Sequence, residues 1–171
     1  SISSSNNGKK LTIDQNSQKT IIDWKSFNID VGETTEFKQP NPSSVALNRV
    51  KDVNPSKILG KLSSNGQIIL INPNGVFFGK NSVVDVASII ASTADITNKN
   101  FKDGNLKFDI ASPNKEAKII NEGLIEARGG KGSSGIVALV APEVRNKGII
   151  KAKVGKAVLA SGETFTLDLY G

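Results

Sequence analysis

The stretch that decides the fold is Asn121-Glu122-Gly123-Leu124-Ile125-Glu126-Ala127, because it returns as Asn146-Lys147-Gly148-Ile149-Ile150-Lys151-Ala152, 25 residues on. A second phrase also repeats. Gly135-Ile136-Val137-Ala138-Leu139-Val140-Ala141-Pro142-Glu143 resembles Gly155-Lys156-Ala157-Val158-Leu159-Ala160-Ser161-Gly162-Glu163 at an offset of 20. The glycine-rich loop over residues 128–134 absorbs the difference between the two offsets. A period of about 20–25 residues, holding several short strands, is what one coil of a β-helix requires.

One such coil cannot bury its inner face alone. Stacked coils pair their backbones in parallel ladders, and inward Ile, Val, Leu and Ala then form columns. Alternation within the repeat puts Glu126 and Lys151 at the same outward position of neighbouring coils. They are expected to face one another, and an exposed pair of that kind contributes about 0.2–1 kcal/mol. The Asn-x-Gly that opens each repeat is expected to form a corner, since both residue types tolerate positive φ.

The rest of the chain agrees with this outline. Short apolar runs at residues 11–13, 20–22, 27–29, 67–71, 76–78, 83–86, 119–120 and 165–169 are bounded by Gly, Asn, Pro or Ser and are read as strands. Helical periodicity is weak; a helical turn is expected only over residues 45–50 and 55–62. Between residues 93 and 112 the period breaks. That segment is expected to be an extra-helical hairpin turning at Lys102-Asp103-Gly104-Asn105 and covering one face of the solenoid. The 171 residues suit one domain over residues 1–171, and the 16 glycines and 5% aromatics suit thin, repetitive layers. The chain begins at Ser1 and has no Met, so it is expected to be a processed or excised piece of something longer.

Composition excludes much chemistry. There is no Cys and no His. Thiol nucleophiles, disulfides, thiolate metal sites and the Ser-His relay are therefore unavailable. Asp85, Asp95, Asp103 and Asp109 lack metal-ligand spacing, so no metal, cofactor or catalytic set is expected. The Gly129-Gly130-Lys131-Gly132 loop lacks the order of a phosphate-binding loop. The net charge of +6 is spread over single lysines, only Lys9 and Lys10 being adjacent, which suits a solvated face better than a polyanion site. The apolar stretch at residues 136–142 is far short of the roughly 20 residues a spanning helix needs.

The most distinctive turn is Asn72-Pro73-Asn74-Gly75, between Gln67-Ile68-Ile69-Leu70-Ile71 and Val76-Phe77-Phe78-Gly79. Pro73 presets φ, Asn74 or Gly75 can take positive φ, and the Asn72 side chain can bond back to the backbone. Upstream, Gln39-Pro40-Asn41-Pro42 enforces an extended entry to Val45-Ala46-Leu47-Asn48-Arg49-Val50. Arg49 is expected to hold a salt bridge or a carbonyl, with a partner contact as the other reading.

These pieces occur in a characteristic order. Trp24-Lys25-Ser26-Phe27-Asn28-Ile29, Gly32-Glu33-Thr34, Gln39-Pro40, Ala46-Leu47-Asn48-Arg49-Val50, Ile58-Leu59-Gly60, Ser64-Asn65-Gly66-Gln67, Asn72-Pro73-Asn74-Gly75-Val76 and Ala91-Ser92-Thr93 follow one another. The set resembles the two-partner secretion domain of filamentous-haemagglutinin-like exoproteins, over roughly residues 11–169. The resemblance implies an all-β, right-handed parallel β-helix with an N-terminal cap, here shortened. It implies secretion from a Gram-negative bacterium, after transit through the periplasm, through an outer-membrane β-barrel transporter with POTRA domains. It maps the family's motif onto Asn72, Pro73, Asn74 and Gly75. Gln39, Pro40, Asn41, Asn48 and Arg49 form a possible secondary set, although Pro40-Asn41-Pro42 departs from the family's second motif. The expected role is a secretion signal and folding nucleus of a monomeric, non-enzymatic domain, without nucleic-acid binding or stable membrane insertion. The alternatives are an adhesin module binding glycans or polyanions and, further off, a polysaccharide-active β-helix.

Overall fold

The computed structural model describes residues 1–167. The last residues of the strand expected at 165–169 lie outside that range. The chain opens on an antiparallel hairpin of β1 (Ile2–Ser5) and β2 (Lys10–Asp14). The solenoid then winds three sheets. The first coil is β2 and β3 (Lys19–Trp24), completed by a single bridge between Ile29 and Ile58. The second is β4 (Thr34–Lys38), β5 (Val45–Val50) and β6 (Ser56–Ile58). The third is β7 (Lys61–Ser64), β8 (Gln67–Ile71) and β9 (Gly75–Phe78). The fourth holds β10 (Val83–Val86) and β11 (Ser88–Ser92). After β11 the chain leaves the solenoid through α1 (Asn98–Lys102) and β12 (Lys107–Phe108), and returns as β13 (Lys118–Asn121). The fifth coil is β14 (Leu124–Ala127), β15 (Ile136–Ala141) and β16 (Glu143–Asn146). The sixth is β17 (Ile149–Ala152) and β18 (Lys156–Ser161), followed by β19 (Phe165–Thr166).

Strands in corresponding positions stack into sheets of seven, six and four strands, all parallel except where β1 joins. The repeat quoted at the outset is the stacking register: Leu124 pairs with Ile149 and Ile136 with Lys156. The fold is a parallel β-helix, as the sequence repeats require.

Alternate residues point inward. Ile68, Ile89 and Val137 form one column, and Leu70, Ala91 and Leu139 the next, in a core that also takes Phe37, Phe78, Ile119 and Ile125. The second sheet is buried on its outer face too. Leu47, Ile69, Ile71 and Ile90 pack there under Ile96, Phe101 and Phe108 of the excursion. This explains the unbroken run Ile68-Ile69-Leu70-Ile71: a strand covered on both sides reads as continuously apolar.

Three expectations need correction. Residues 45–50 and 55–62 carry strands β5, β6 and the start of β7 rather than helical turns. Ladder pairing on both sides of β5 outweighs the helical reach of its leucine and alanine. The excursion covers a face, and its legs are antiparallel at Asp95 and Ile110, but the leg read as a first strand contains α1. Thr97 caps that helix by accepting from the Asn100 N–H, and the Asp-Gly step ends it, with Asp103 as C-cap and Gly104 at a φ of 77°. Finally, neither Gly123 nor Gly148 takes positive φ. A Cβ on Gly123 would sit 2.5 Å from the Gly79 carbonyl and 2.6 Å from that of Ser82, so glycine is required by the closeness of the coil beneath. Asn121 makes the corner by another route. Its Oδ1 accepts from the Gly123 N–H at 3.0 Å, and its Nδ2 donates to Asn146 Oδ1 at 3.0 Å.

Glu126 and Lys151 are register partners, as expected, but no salt bridge joins them among the described residues. In the same outward column Asp85 is paired with Arg128, and Glu36 with Lys10.

Replacing Gly123 with Ala is expected to cost about 1–3 kcal/mol, the usual penalty of overpacking. A urea-unfolding series should show the midpoint falling with an unchanged m-value.

Candidate functional site

Asn72-Pro73-Asn74-Gly75 turns the chain from β8 into β9. The Gly75 N–H donates to the Asn72 carbonyl at 2.9 Å, and the Asn74 N–H donates to Asn72 Oδ1 at 2.9 Å. Gly75, not Asn74, takes the positive φ, at 106°. It also lies against the backbone of Lys118 in the next coil, with no room for a Cβ.

The asparagine side chains stitch three successive passes of the chain. Asn72 is fully buried, and its Nδ2 donates to the Asn54 carbonyl at 3.1 Å and to Ser56 Oγ at 3.0 Å. Asn74 Nδ2 donates to the Asp52 carbonyl at 2.7 Å. From the far side, Ser112 Oγ donates to the Pro73 carbonyl at 2.6 Å, and Asn114 Nδ2 to Asn74 Oδ1 at 3.3 Å. Every side-chain amide of the motif is thus engaged within the chain. Sequence reasoning found the turn but missed its partners Asp52, Asn54, Ser56, Ser112 and Asn114, which nothing in their spacing marks.

The secondary set does not gather around the motif. Gln39 fills the corner at the opposite end of the second sheet. Its Nε2 donates to Gln15 Oε1 and to the Gln67 carbonyl, both at 3.2 Å, and its Oε1 accepts from the Gly66 N–H at 3.0 Å. Pro40 is exposed there, and Asn41 exchanges hydrogen bonds with Gln18. Asn48 points into the core, where it accepts from Trp24 Nε1 at 2.9 Å and donates to the Ile69 carbonyl at 3.2 Å.

Arg49 alone of this set lies near the motif, opposite Ile71 in the ladder. It faces outward and is mostly buried by the excursion. Its Nε donates to Asp95 Oδ1 at 2.9 Å, and its two terminal nitrogens donate to Asn98 Oδ1 and the Ile96 carbonyl. Lys19 does the same at the other end of α1, donating to the carbonyls of Phe101 and Lys102. On the helix surface, a hydrogen bond from Lys99 holds the Asp103 carboxyl below its ordinary pKa. Hydrogen bonds from Arg145 and Lys118 likewise lower that of Glu143. Among the described residues, no three acidic, His or Cys side chains gather where they could hold a metal ion.

The two ends of the solenoid differ. At the start, β1 covers β2. At the other end, among the described residues, β16, β17 and β18 are the outermost strands of their sheets, and Leu159, on an inward column, is 43% exposed.

Comparison with known proteins places this geometry. The family model described as the TPS secretion domain matches residues 1–169. A heme/hemopexin-binding protein of Haemophilus influenzae strain Rd is 39% identical over 165 residues, 95% of this chain and 18% of that protein's length. A second H. influenzae heme/hemopexin-binding protein is 39% identical over 115 residues, 67% of this chain and 12% of its own length. The crystal structure of the HMW1 secretion domain from H. influenzae superposes with a TM-score of 0.84 at 34% identity, covering 99% of this chain and 44% of that one. With its solenoid, its capped start and its Asn-Pro-Asn-Gly turn accounted for, the chain belongs to the TPS secretion domain family.

Proposed function

We propose that this chain is the secretion signal and folding nucleus of a larger exoprotein, which it directs through a cognate outer-membrane β-barrel transporter. The observation that carries this reading is the asymmetry of the solenoid within a family of secretion domains. A hairpin covers one end, while at the other, among the described residues, β16, β17 and β18 stand outermost in their sheets and apolar residues of the inward columns are exposed. Such an end is a template on which a further coil can stack.

The chain crosses the periplasm unfolded and is held by the transporter's POTRA domains through strand augmentation. It then folds outside as a monomer. The residues after it form an adhesin, a cytolysin or a contact-dependent toxin. The Asn-Pro-Asn-Gly motif fits this order of events. Its amides are free in the unfolded chain and consumed in the folded one, so a transporter that reads it must read it before folding. No catalysis is assigned to the domain. Heme and hemopexin binding, named for two relatives of which this chain spans 18% and 12% of the length, is not transferred to it.

Asn72→Ala is expected to cost about 1–3 kcal/mol, because it strands buried partners. Gly75→Ala should cost more, being both strained and crowded, whereas Asn74→Val loses only its hydrogen bonds, about 1 kcal/mol. Urea titration of the three variants checks this order. In the intact exoprotein, Asn72→Ala and Gly75→Ala should accumulate in the periplasm. Normal export despite a measured loss of stability would confine the motif to a structural role. The urea-denatured domain, diluted onto immobilised POTRA domains, should be retained, and the folded domain should not; equal retention of both would overturn recognition before folding.

A further inference from the structure

The coils of a solenoid touch only their neighbours, so each ordinarily gains stability from the coil below it and the coil above. The excursion after β11 breaks that rule. It runs across the outer face of the second sheet and meets every coil in turn. Lys19 in the first coil holds the carbonyl end of α1, and Arg49 in the second holds its entry. Ile69, Ile90, Ala138 and Val158, from the third to the sixth coils, pack in the same outer cluster. Beyond the sixth coil, β12 pairs antiparallel with β19, and Phe108 stacks on Phe165 with ring centroids 4.5 Å apart.

We propose that this excursion is a strap that makes the six coils fold and unfold as one unit, and that it thereby sets the point at which folding commits during export. The second part rests on the secretion role proposed above; the first does not. Before the strap has emerged, Leu47, Ile69 and Ile71 have no cover on their outer side, and Arg49 has no Asp95. The strap is itself complete only when β19 has arrived. The first three coils therefore stay unfolded, with the Asn-Pro-Asn-Gly segment accessible, until the residues through Thr166 are outside. Export then precedes folding of the domain as a whole, rather than proceeding coil by coil.

The 171-residue chain carries its own probe. Trp24 is the only tryptophan, and it lies in the first coil. Urea unfolding followed by its fluorescence should coincide with unfolding followed by far-ultraviolet circular dichroism. Ile125→Val, a conservative change in the fifth coil, should lower both midpoints equally. In the strap variant Arg49→Ala/Phe108→Ala, the two midpoints should separate, and Ile125→Val should no longer move the Trp24 transition. If that pair prevents folding, Lys19→Met removes one pin and keeps the apolar stem, and should give a smaller separation. Non-coincident transitions in the unaltered chain would overturn the strap, as would coincidence and coupling that survive in the strap variants. None of these readouts involves the transporter, so a failure here is distinct from a failure of the secretion reading.

Discussion

Parallel strands hydrogen-bond at about 4.8 Å, and that spacing governs everything else in this molecule. Whatever happens at a corner must fit between backbones that close. Gly123 is there because the Ser82 and Gly79 carbonyls lie directly beneath it. Asn121 bridges to Asn146 because the amide group spans one coil step and no more. Gln39 sits in the corner between its own coil's Ser44 and the Gln67 carbonyl of the next for the same reason. The Asn-Pro-Asn-Gly turn is the fullest case, since it must satisfy the coil below and the returning chain above at once. Among the described residues, no buried side-chain nitrogen or oxygen lacks a partner.

The solenoid was legible because its period is written in the chain. The offsets of 25 and 20 between repeats are the ladder registers themselves. The corners were recognised for the wrong reason: Asn and Gly are associated with positive φ, yet at 121–123 the demand is for close approach. The strap was recognised only as a break in the period. Its helix is a single turn and a half whose capping threonine is a weak cue, and its packing partners lie on six different coils. The continuous apolar run in β8 was the available sign that something covers the outer face. Residues 45–50 misled because Ala, Leu and Arg suit a helix locally, while the ladder partners that decide the matter lie 26 residues before and 22 after.

For the site, the sequence marked the turn and left its meaning open. The geometry narrows that meaning by showing where each amide goes. In the folded state each side-chain amide of the motif is engaged within the chain. The chain holds no His and no Cys, which leaves it without imidazole and thiol chemistry. What the domain does have is direction, one end closed by a hairpin and the other open.

That open end has a consequence for the isolated domain. An edge shaped to receive one strand does not choose between the next coil and another copy of itself. With Leu159 and Ile149 exposed, and β16, β17 and β18 outermost in their sheets among the described residues, the purified domain is an aggregation hazard at this end. Its net charge of +6 works against this, since like-charged copies repel, and salt that screens the charge weakens the protection. The scattered lysines thus have a colloidal role: they hold apart molecules whose backbones would otherwise join end to end.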